Sequence, residues 1–148
     1  KRLLQAFFTM LQHMPIMYHT FSYEKSDFKS DAALITKMKR DVVNLIFDNL
    51  EYLQRFDKVK VYYDDGQHIV TKSLHDAIEY ALASNAVMYK DGCPKDYRLA
   101  QAADLICTLE LTALKFDAKV QTKTDDRFFG AFGSFKKNYL KKIRKMLI

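Results

Sequence analysis

The sequence has few cysteines and no long apolar run, and both shortages exclude classes of protein. Cys93 and Cys107 are the two cysteines among 148 residues, which is too few for the disulfide framework of a small secreted domain. No apolar stretch approaches the roughly 18 residues of a membrane span, and no signal peptide is visible. These absences predict reduced thiols in a cytoplasmic protein that has no membrane partner.

Acidic residues are absent from the segment 135–148, and the net charge of +6 is concentrated there. The segment has six basic residues: Lys136, Lys137, Lys141, Lys142, Arg144 and Lys145. Between them lies one apolar stripe at helical spacing, formed by Phe135, Tyr139, Ile143, Met146 and Leu147. We therefore predict a basic amphipathic helix at about 134–146. Two interpretations stay open. The helix either docks on the domain with a solvated basic side, or contacts the phosphate backbone of a nucleic acid.

The length of the chain fits one domain with a hydrophobic core of its own. The first residues, Lys1-Arg-Leu-Leu, begin a run of apolar side chains at helical spacing. They include neither an initiator methionine nor an N-cap. We therefore expect residues 1–148 to form a single α/β domain that is incomplete at its N-terminal side.

Helical and extended patterns alternate along the chain. Apolar residues at helical spacing predict helices at about 27–56, 73–83 and 97–116. Stretches rich in aromatic and β-branched residues predict strands at 16–23, 58–66 and 86–89. This alternation is typical of α/β folds, in which helices cover the faces of a partly parallel sheet.

One predicted helix carries an acidic residue in apolar surroundings. Asp104 lies in the segment Gln101-Ala-Ala-Asp-Leu-Ile-Cys107, within a helical run that has little polar surface. The pattern predicts a buried carboxylate, which needs a partner, a metal ion or a shifted pKa, because burial of an unpaired charge is costly. Gln101 lies three residues earlier, on the same predicted face.

A second group of carboxylates follows the strand predicted at 58–66. Asp64 and Asp65 stand at its end, and in open α/β sheets binding sites collect at the carboxyl ends of strands. If Asp64, or Asp65 in its place, meets Asp104, the carboxylates can hold Mg²⁺ or Mn²⁺, since hard cations prefer oxygen ligands. The alternative is an ordinary Asp-Asp-Gly turn, with Asp104 as a buried acid whose hydrogen bonds are satisfied.

Three segments of the chain form an ordered set of motifs. They are Val61-Tyr-Tyr-Asp-Asp-Gly-Gln67, the run from Tyr97 to Cys107, and Phe128-Phe-Gly followed by Lys136-Lys-Asn-Tyr-Leu-Lys141. Together they resemble the uncharacterised bacterial family called "domain of unknown function 3800". Gln101-Ala-Ala-Asp104 matches the Gln-x-x-Asp motif of that family, and the strand that ends at Asp64 resembles its middle acidic strand.

The resemblance spans most of the chain and implies a ribonuclease-H-like mixed sheet flanked by helices. It also implies a metal-dependent phosphodiesterase that acts on nucleic acid. Asp64 and Asp104 would bind Mg²⁺ or Mn²⁺, Asp65 could replace Asp64, and Gln101 would orient Asp104. The basic C-terminal helix would hold the phosphate backbone.

The sequence departs from that family in one position. The family also carries an Asp-Glu pair on an N-terminal strand, and no such strand occurs in these 148 residues. Only two of the three acidic positions that the resemblance implies are therefore present, and the domain would lack its first strands. The alternative function is therefore a non-catalytic nucleic-acid-binding or regulatory module on the same scaffold.

Overall fold

The computed structural model describes residues 2–62, 68–82, 86–89 and 97–148 of the chain. Most of them are helical: α1 (Arg2–Gln12), α2 (Asp31–Asp48), α3 (Leu50–Leu53), α4 (His68–Leu82), α5 (Arg98–Asp117), α6 (Lys123–Phe129), α7 (Phe132–Phe135) and α8 (Lys141–Ile143). A 3₁₀ turn (Lys25–Asp27) precedes α2, and a π-helical turn (Lys136–Leu140) joins α7 to α8. Two strands of four residues each, β1 (Val59–Tyr62) and β2 (Ala86–Tyr89), complete the described elements.

The predicted ribonuclease-H-like mixed sheet is wrong. In the described part of the chain the sheet consists of β1 and β2, which pair in parallel with Val59 opposite Ala86 and Tyr62 opposite Tyr89. The segment 16–23, predicted to be a strand, makes a single bridge from Tyr18 to Leu147. Its β-rich residues favour an extended backbone, but a strand also needs a partner to pair with. Tyr18 packs instead into a core built mainly of helices.

The chain divides into two compact units. Unit 1 comprises residues 1–20 and 101–148, and unit 2 comprises residues 21–100. Unit 1 therefore holds α1, most of α5, α6, and the terminal helix, by which we mean the continuous helical segment 132–143 formed by α7, the π turn and α8. Unit 2 holds α2, α3, α4 and the two strands.

The core of unit 1 is a cluster of aromatic and aliphatic side chains. Leu109 of α5, and Phe135 and Ile143 of the terminal helix, have no exposed surface. The ring of Phe135 lies 5.4 Å, centroid to centroid, from the rings of both Phe116 and Phe129. Aromatic pairs at such separations stabilise a core beyond the burial of their area. Unit 1 is thus a helical structure that depends on ring packing and needs no sheet.

Unit 2 is built on the packing of α2 against α4. Val42 and Ile46 of α2 are buried against Ala77 and Ile78 of α4. The spacing of four between Val42 and Ile46 places both side chains on one face of the helix, as an amphipathic helix requires.

Helix α2 begins later than the sequence pattern predicts. Its N-cap is Ser30, whose Oγ accepts a hydrogen bond from the Ala33 N–H at 3.2 Å. Ser26 and Asp27, which are equally suitable residues for a cap, lie in the preceding 3₁₀ turn. When several residues in a row can act as an N-cap, the sequence does not fix where the helix begins. Each of them can accept a hydrogen bond from the free N–H groups of a helix that begins just after it.

Helix α5 ends in a left-handed turn at Lys119, where φ is 58°. The Lys119 N–H donates to Phe116 O at 3.1 Å, and the Val120 N–H donates to Lys115 O at 2.9 Å. These two bonds are those of a Schellman motif, which satisfies the last carbonyls of a helix and usually has glycine in the left-handed position.

The terminal helix begins at Phe132 and ends at Ile143, close to the predicted range of about 134–146. The predicted apolar stripe is buried at Phe135, Tyr139 and Ile143, whereas Leu147 is 44% exposed. Leu140, which lies outside that stripe, is also buried. It lies in the π turn, next to the buried Tyr139.

The burial of Leu109 generates the first prediction. Replacement of Leu109 by alanine should lower the free energy of unfolding by about 2–5 kcal/mol, because the lost side chain leaves a cavity in the core. Leu111, on the same helix and 54% exposed, is the matched control, and Leu111→Ala should change stability by less than about 0.5 kcal/mol. Urea denaturation of the three proteins measures both values. Equal losses for the two variants would contradict this core.

Candidate functional site

The candidate site is an open groove on unit 1 with a volume of about 560 Å³. Helices α1, α5 and α6 contribute to it, and the described residues that line it are Leu3, Leu4, Phe7, Gln101, Asp104, Leu105, Thr108 and Phe128. The volume falls in the range of roughly 300–1,000 Å³ that is typical of ligand sites. The groove is also where two of the predicted site residues, Gln101 and Asp104, meet.

One wall of the groove is a polar row on α5. Gln101, Asp104 and Thr108 are spaced by three and four residues, so they lie one above another on the same helical face. The predicted grouping of Gln101 with Asp104 is therefore present on this wall.

The predicted burial of Asp104 is wrong, because its side chain is exposed to the groove. The buried face of α5 consists of Ala102, Leu105, Ile106, Leu109, Thr112, Ala113 and Phe116. Several of the other apolar residues of this helix, among them Leu111 and Leu114, are exposed as well. The helix has more apolar residues than its buried face can hold, and so an apolar neighbourhood in sequence does not place Asp104 in the core.

The opposite walls of the groove are apolar. Leu3, Leu4 and Phe7 come from α1, and Phe128 comes from α6. Phe128 remains 39% exposed and Leu3 84% exposed. Exposed apolar groups of this size, gathered beside a few polar ones, are characteristic of surfaces that bind a partner or a ligand.

Among the described residues that line the groove, Asp104 is the single acid. Within the described residues its carboxylate forms no ion pair. Cys107 lies one turn further along α5 as a free, solvent-accessible thiol. Partial burial raises the pKa of the Cys107 thiol, and the carboxylates of Asp104 and Glu110 raise it further. The thiol is therefore kept protonated, which makes it a poor nucleophile.

A hydrogen-bonded triad connects α5 to the C-terminal segment. Glu110 accepts from the Tyr18 hydroxyl at 2.7 Å, and from Arg144 Nη2 at 2.7 Å and Nε at 3.1 Å. The Glu110 side chain is 13% exposed. Two further bonds hold the same segment, from the Tyr18 N–H to Met146 O at 3.0 Å and from the Ile148 N–H to Tyr18 O at 3.1 Å.

The charge of the triad is compensated internally. Burial raises the pKa of Glu110, but the hydrogen bonds from Arg144 and Tyr18 and the charge of Arg144 outweigh it, so the pKa lies below its ordinary value. Burial raises the pKa of Tyr18, and its hydrogen bond to the Glu110 carboxylate adds to the rise. The paired forms, ionised Glu110 and neutral Tyr18, are therefore favoured. Glu110 is a residue whose importance the sequence does not reveal, since nothing in its apolar surroundings points to Tyr18 or Arg144.

The six basic residues predicted to bind nucleic acid are all exposed on or just after the terminal helix. Arg144 is engaged by Glu110. Lys136 lies over the Phe132 ring at 5.7 Å, and Lys142 over the Phe8 ring at 6.0 Å. Lys137, Lys141 and Lys145 form no ion pair within the described part of the chain.

The positive charge of the protein belongs to unit 1. Unit 1 has twelve lysines and arginines against five acidic residues, a net charge of +7, whereas unit 2 has twelve against thirteen, a net charge of −1. Together they account for the net charge of +6. The groove and the lysines of the terminal helix therefore share a unit that attracts anions at long range.

Of the three residues predicted to form a metal site, Asp64, Asp65 and Asp104, the structure describes only Asp104. Asp64 and Asp65 lie outside the described residues. Among the residues that are described, no group of three or more histidine, cysteine, aspartate or glutamate side chains is arranged to hold a metal ion. Mg²⁺ or Mn²⁺ binding therefore stays a prediction.

Comparison of the chain with protein-family models, curated proteins and solved structures gives no match. The resemblance to the uncharacterised family described above stays a prediction. In the part of the chain that the structure describes, no helix is both long enough and apolar enough to cross a bilayer.

The triad generates a prediction about pH. Because the folded pKa of Glu110 is lowered, its pairing stabilises the protein fully above the pKa of the unfolded glutamate, near 4.5. That stability is lost as the pH falls through the folded pKa. Glu110→Gln should thus lower the free energy of unfolding by about 1–3 kcal/mol at pH 7, and the difference from the wild type should shrink below about pH 4. Urea denaturation at pH 7, 5, 4 and 3 measures this.

Glu79→Gln is the control, since Glu79 is an exposed helical glutamate whose described partner is His75. It should change stability by less than about 0.5 kcal/mol across the same pH range. A Glu110→Gln effect that is independent of pH would contradict the role of the carboxylate charge.

Proposed function

We propose that the protein is a nucleic-acid-binding module that holds the phosphate backbone with the lysines on and just after its terminal helix. The observation that carries the proposal is the set of exposed lysines without ion pairs, Lys137, Lys141 and Lys145, in a described unit whose net charge is +7. This function is the alternative that the sequence leaves open, and it does not require a metal site or a sheet.

Phosphate binding follows from the chemistry of this helix. A lysine ammonium is a compact charge on a flexible stem, which suits contact with phosphate oxygens without selection of a sequence. Lys136 and Lys142 lie over aromatic rings, so their side chains are held close to the helix surface. Lys137, Lys141 and Lys145 are the residues that we expect to reach the backbone.

The terminal helix is well suited to this role because it is fixed in place. One side of it is buried in the core at Phe135, Tyr139 and Ile143, and Glu110 holds Arg144 just beyond its end. Lysines on a fixed helix lose less conformational entropy on binding than lysines on a free tail. Less of the favourable charge interaction is therefore offset by the entropic cost of ordering the chain. A cytoplasmic location is part of the proposal, because nucleic acid is available there.

The test is the salt dependence of binding. For single strands each phosphate contact contributes about 0.7 to the slope of the logarithm of affinity against the logarithm of salt concentration. The triple variant Lys137→Gln, Lys141→Gln, Lys145→Gln should therefore lower the slope by about 2 and weaken binding at low salt. Fluorescence anisotropy with labelled 20-nucleotide DNA and RNA, from about 50 to 200 mM salt, measures both effects.

The matched control removes the same charge from unit 2. Lys29, Arg55 and Lys58 are exposed residues of that unit, and their joint replacement by glutamine should leave the slope within about 0.5 of the wild-type value. An equal loss of slope in the two triple variants would show a diffuse charge effect and would contradict binding by the terminal helix. A wild-type protein that binds neither DNA nor RNA at 50 mM salt would overturn the proposed function.

The metal-dependent phosphodiesterase is the second candidate, and what favours it is that Gln101 and Asp104 lie together on one accessible wall. If Asp104 binds a catalytic metal ion, Asp104→Asn should slow cleavage of labelled DNA or RNA in Mn²⁺ by more than about 100-fold. Asp126→Asn, which changes an exposed acid outside the groove, should cleave at the wild-type rate. This candidate would be excluded if the wild type cleaved equally well in EDTA and in Mn²⁺. It would also be excluded if Asp104→Asn cleaved as fast as the wild type.

A further inference from the structure

We propose that the groove of unit 1 accepts an unpaired guanine base of a single-stranded nucleic acid, whose Watson–Crick edge donates two hydrogen bonds to the Asp104 carboxylate. The inference deepens the proposed function and rests on it, because the lysines of the terminal helix would hold the backbone of the same strand. It adds a preference for one base, which phosphate contacts cannot provide.

The Asp104 carboxylate determines which chemical groups a ligand of the groove must present. Asp104 offers two acceptor oxygens and no donor, is exposed to the groove, and forms no ion pair within the described residues. A phosphate group cannot fill this position, since it is itself an anion that only accepts hydrogen bonds. The occupant must present N–H or O–H groups to the carboxylate while the rest of the strand remains anionic.

Guanine is the base that fits two acceptors side by side. Its Watson–Crick edge carries two adjacent donors, the N1–H and the exocyclic 2-amino group. Adenine and cytosine have one amino group next to a ring acceptor, and thymine and uracil have one N–H between two carbonyl groups. A carboxylate can therefore form a bidentate pair with guanine and only a single bond with the others. Bases that are read on this edge belong to single strands, because pairing hides the edge in a duplex.

The apolar walls suit the faces of a base. Phe7 and Phe128 are aromatic, and Leu3, Leu4 and Leu105 extend the apolar surface around them. Stacking on aromatic side chains contributes to single-strand binding for every base, because each base has a π face. The walls thus provide general affinity, and Asp104 provides the choice among bases. The groove is open, so it can take a base that stays attached to its backbone.

The groove and the basic helix contact neighbouring faces of α1. Leu3, Leu4 and Phe7 of α1 line the groove, whereas Phe8 packs on Tyr139 of the terminal helix, with ring centroids 4.9 Å apart, and lies under Lys142. An α-helix with its side chains is about 10 Å across. Three stacked nucleotides cover about the same distance, at roughly 3.4 Å each. One strand can therefore cross α1, with a base in the groove and phosphates near the lysines.

The test measures the preference for one base at fixed length and charge. Labelled 12-nucleotide strands of thymidine (or of uridine, for RNA) carry guanine, hypoxanthine, adenine or cytosine at the two central positions. Fluorescence anisotropy is measured in EDTA at constant salt. The wild type should bind the guanine strand on the order of 10-fold more tightly than the adenine and cytosine strands. Hypoxanthine, which keeps the N1–H but lacks the 2-amino group, should lie in between.

Asp104→Asn is the deciding variant. Its amide offers one acceptor and one donor, so the preference for guanine should fall to less than about 2-fold, while binding of the plain thymidine strand is retained. Asp126→Asn is the matched control, since it removes an equal charge from an exposed site outside the groove and should keep the full preference. Circular dichroism and a urea unfolding curve establish that both variants are folded.

The outcomes separate this inference from the proposed function. If Asp104→Asn keeps the wild-type preference, or if the wild type prefers no base, the guanine site is overturned, while a reduced salt slope in the lysine variant still supports backbone binding. A guanine preference that appears in Mg²⁺ or Mn²⁺ and disappears in EDTA would also overturn it, because a metal ion would then stand between the carboxylate and the strand. If no strand binds at all, the proposed function fails together with the inference.

Discussion

The burial of one face of α5 is the constraint on which unit 1 depends. Leu105, Leu109 and Phe116 fill this face and pack with α1 and the terminal helix in one apolar cluster. Because this face is buried in the core, Asp104 lies on the exposed side of the helix and the half-buried Gln101 lies at its edge, where the groove forms. The polar wall of the candidate site is thus a consequence of how the core is filled, and Glu110, at the edge of the same face, is left to hold the C-terminal segment.

The sequence predicts the position of α5 well and the environment of Asp104 badly. The run of apolar residues places a helix at 97–116, and the observed helix is Arg98–Asp117. The same run suggests burial on all sides, but a helix in a unit of this size has too few neighbours to cover every face. Leu111 and Leu114 remain exposed for this reason. Spacing correctly groups Gln101 with Asp104, because residues three apart share a face whatever covers it.

The sheet could not be predicted because strands depend on partners that local sequence does not specify. The residues of β1 and β2 are correctly recognised as extended, and the two strands pair in parallel. The equally β-rich segment around Tyr18 meets a helical core and a single backbone bridge instead. The triad of Tyr18, Glu110 and Arg144 escapes prediction for the same reason, since its members are up to 126 positions apart in the numbering. Helices and caps, which are set by neighbours in sequence, are predicted more closely than contacts between distant residues.

The π turn at Lys136–Leu140 sets the angular relation between the two ends of the terminal helix. A π turn contains one residue more than an α turn, and each residue of an α-helix advances the chain by about 100° around the axis. The extra residue is absorbed within the turn, because five residues of a π turn cover about the same rotation as four residues of an α-helix. If the same residues followed a regular α-helical path, everything after the turn would rotate by about 100°. Arg144 would then turn away from Glu110, and Lys141 and Lys145 would move to another side of the unit. A local irregularity of the helix therefore determines the direction in which the charges beyond it face.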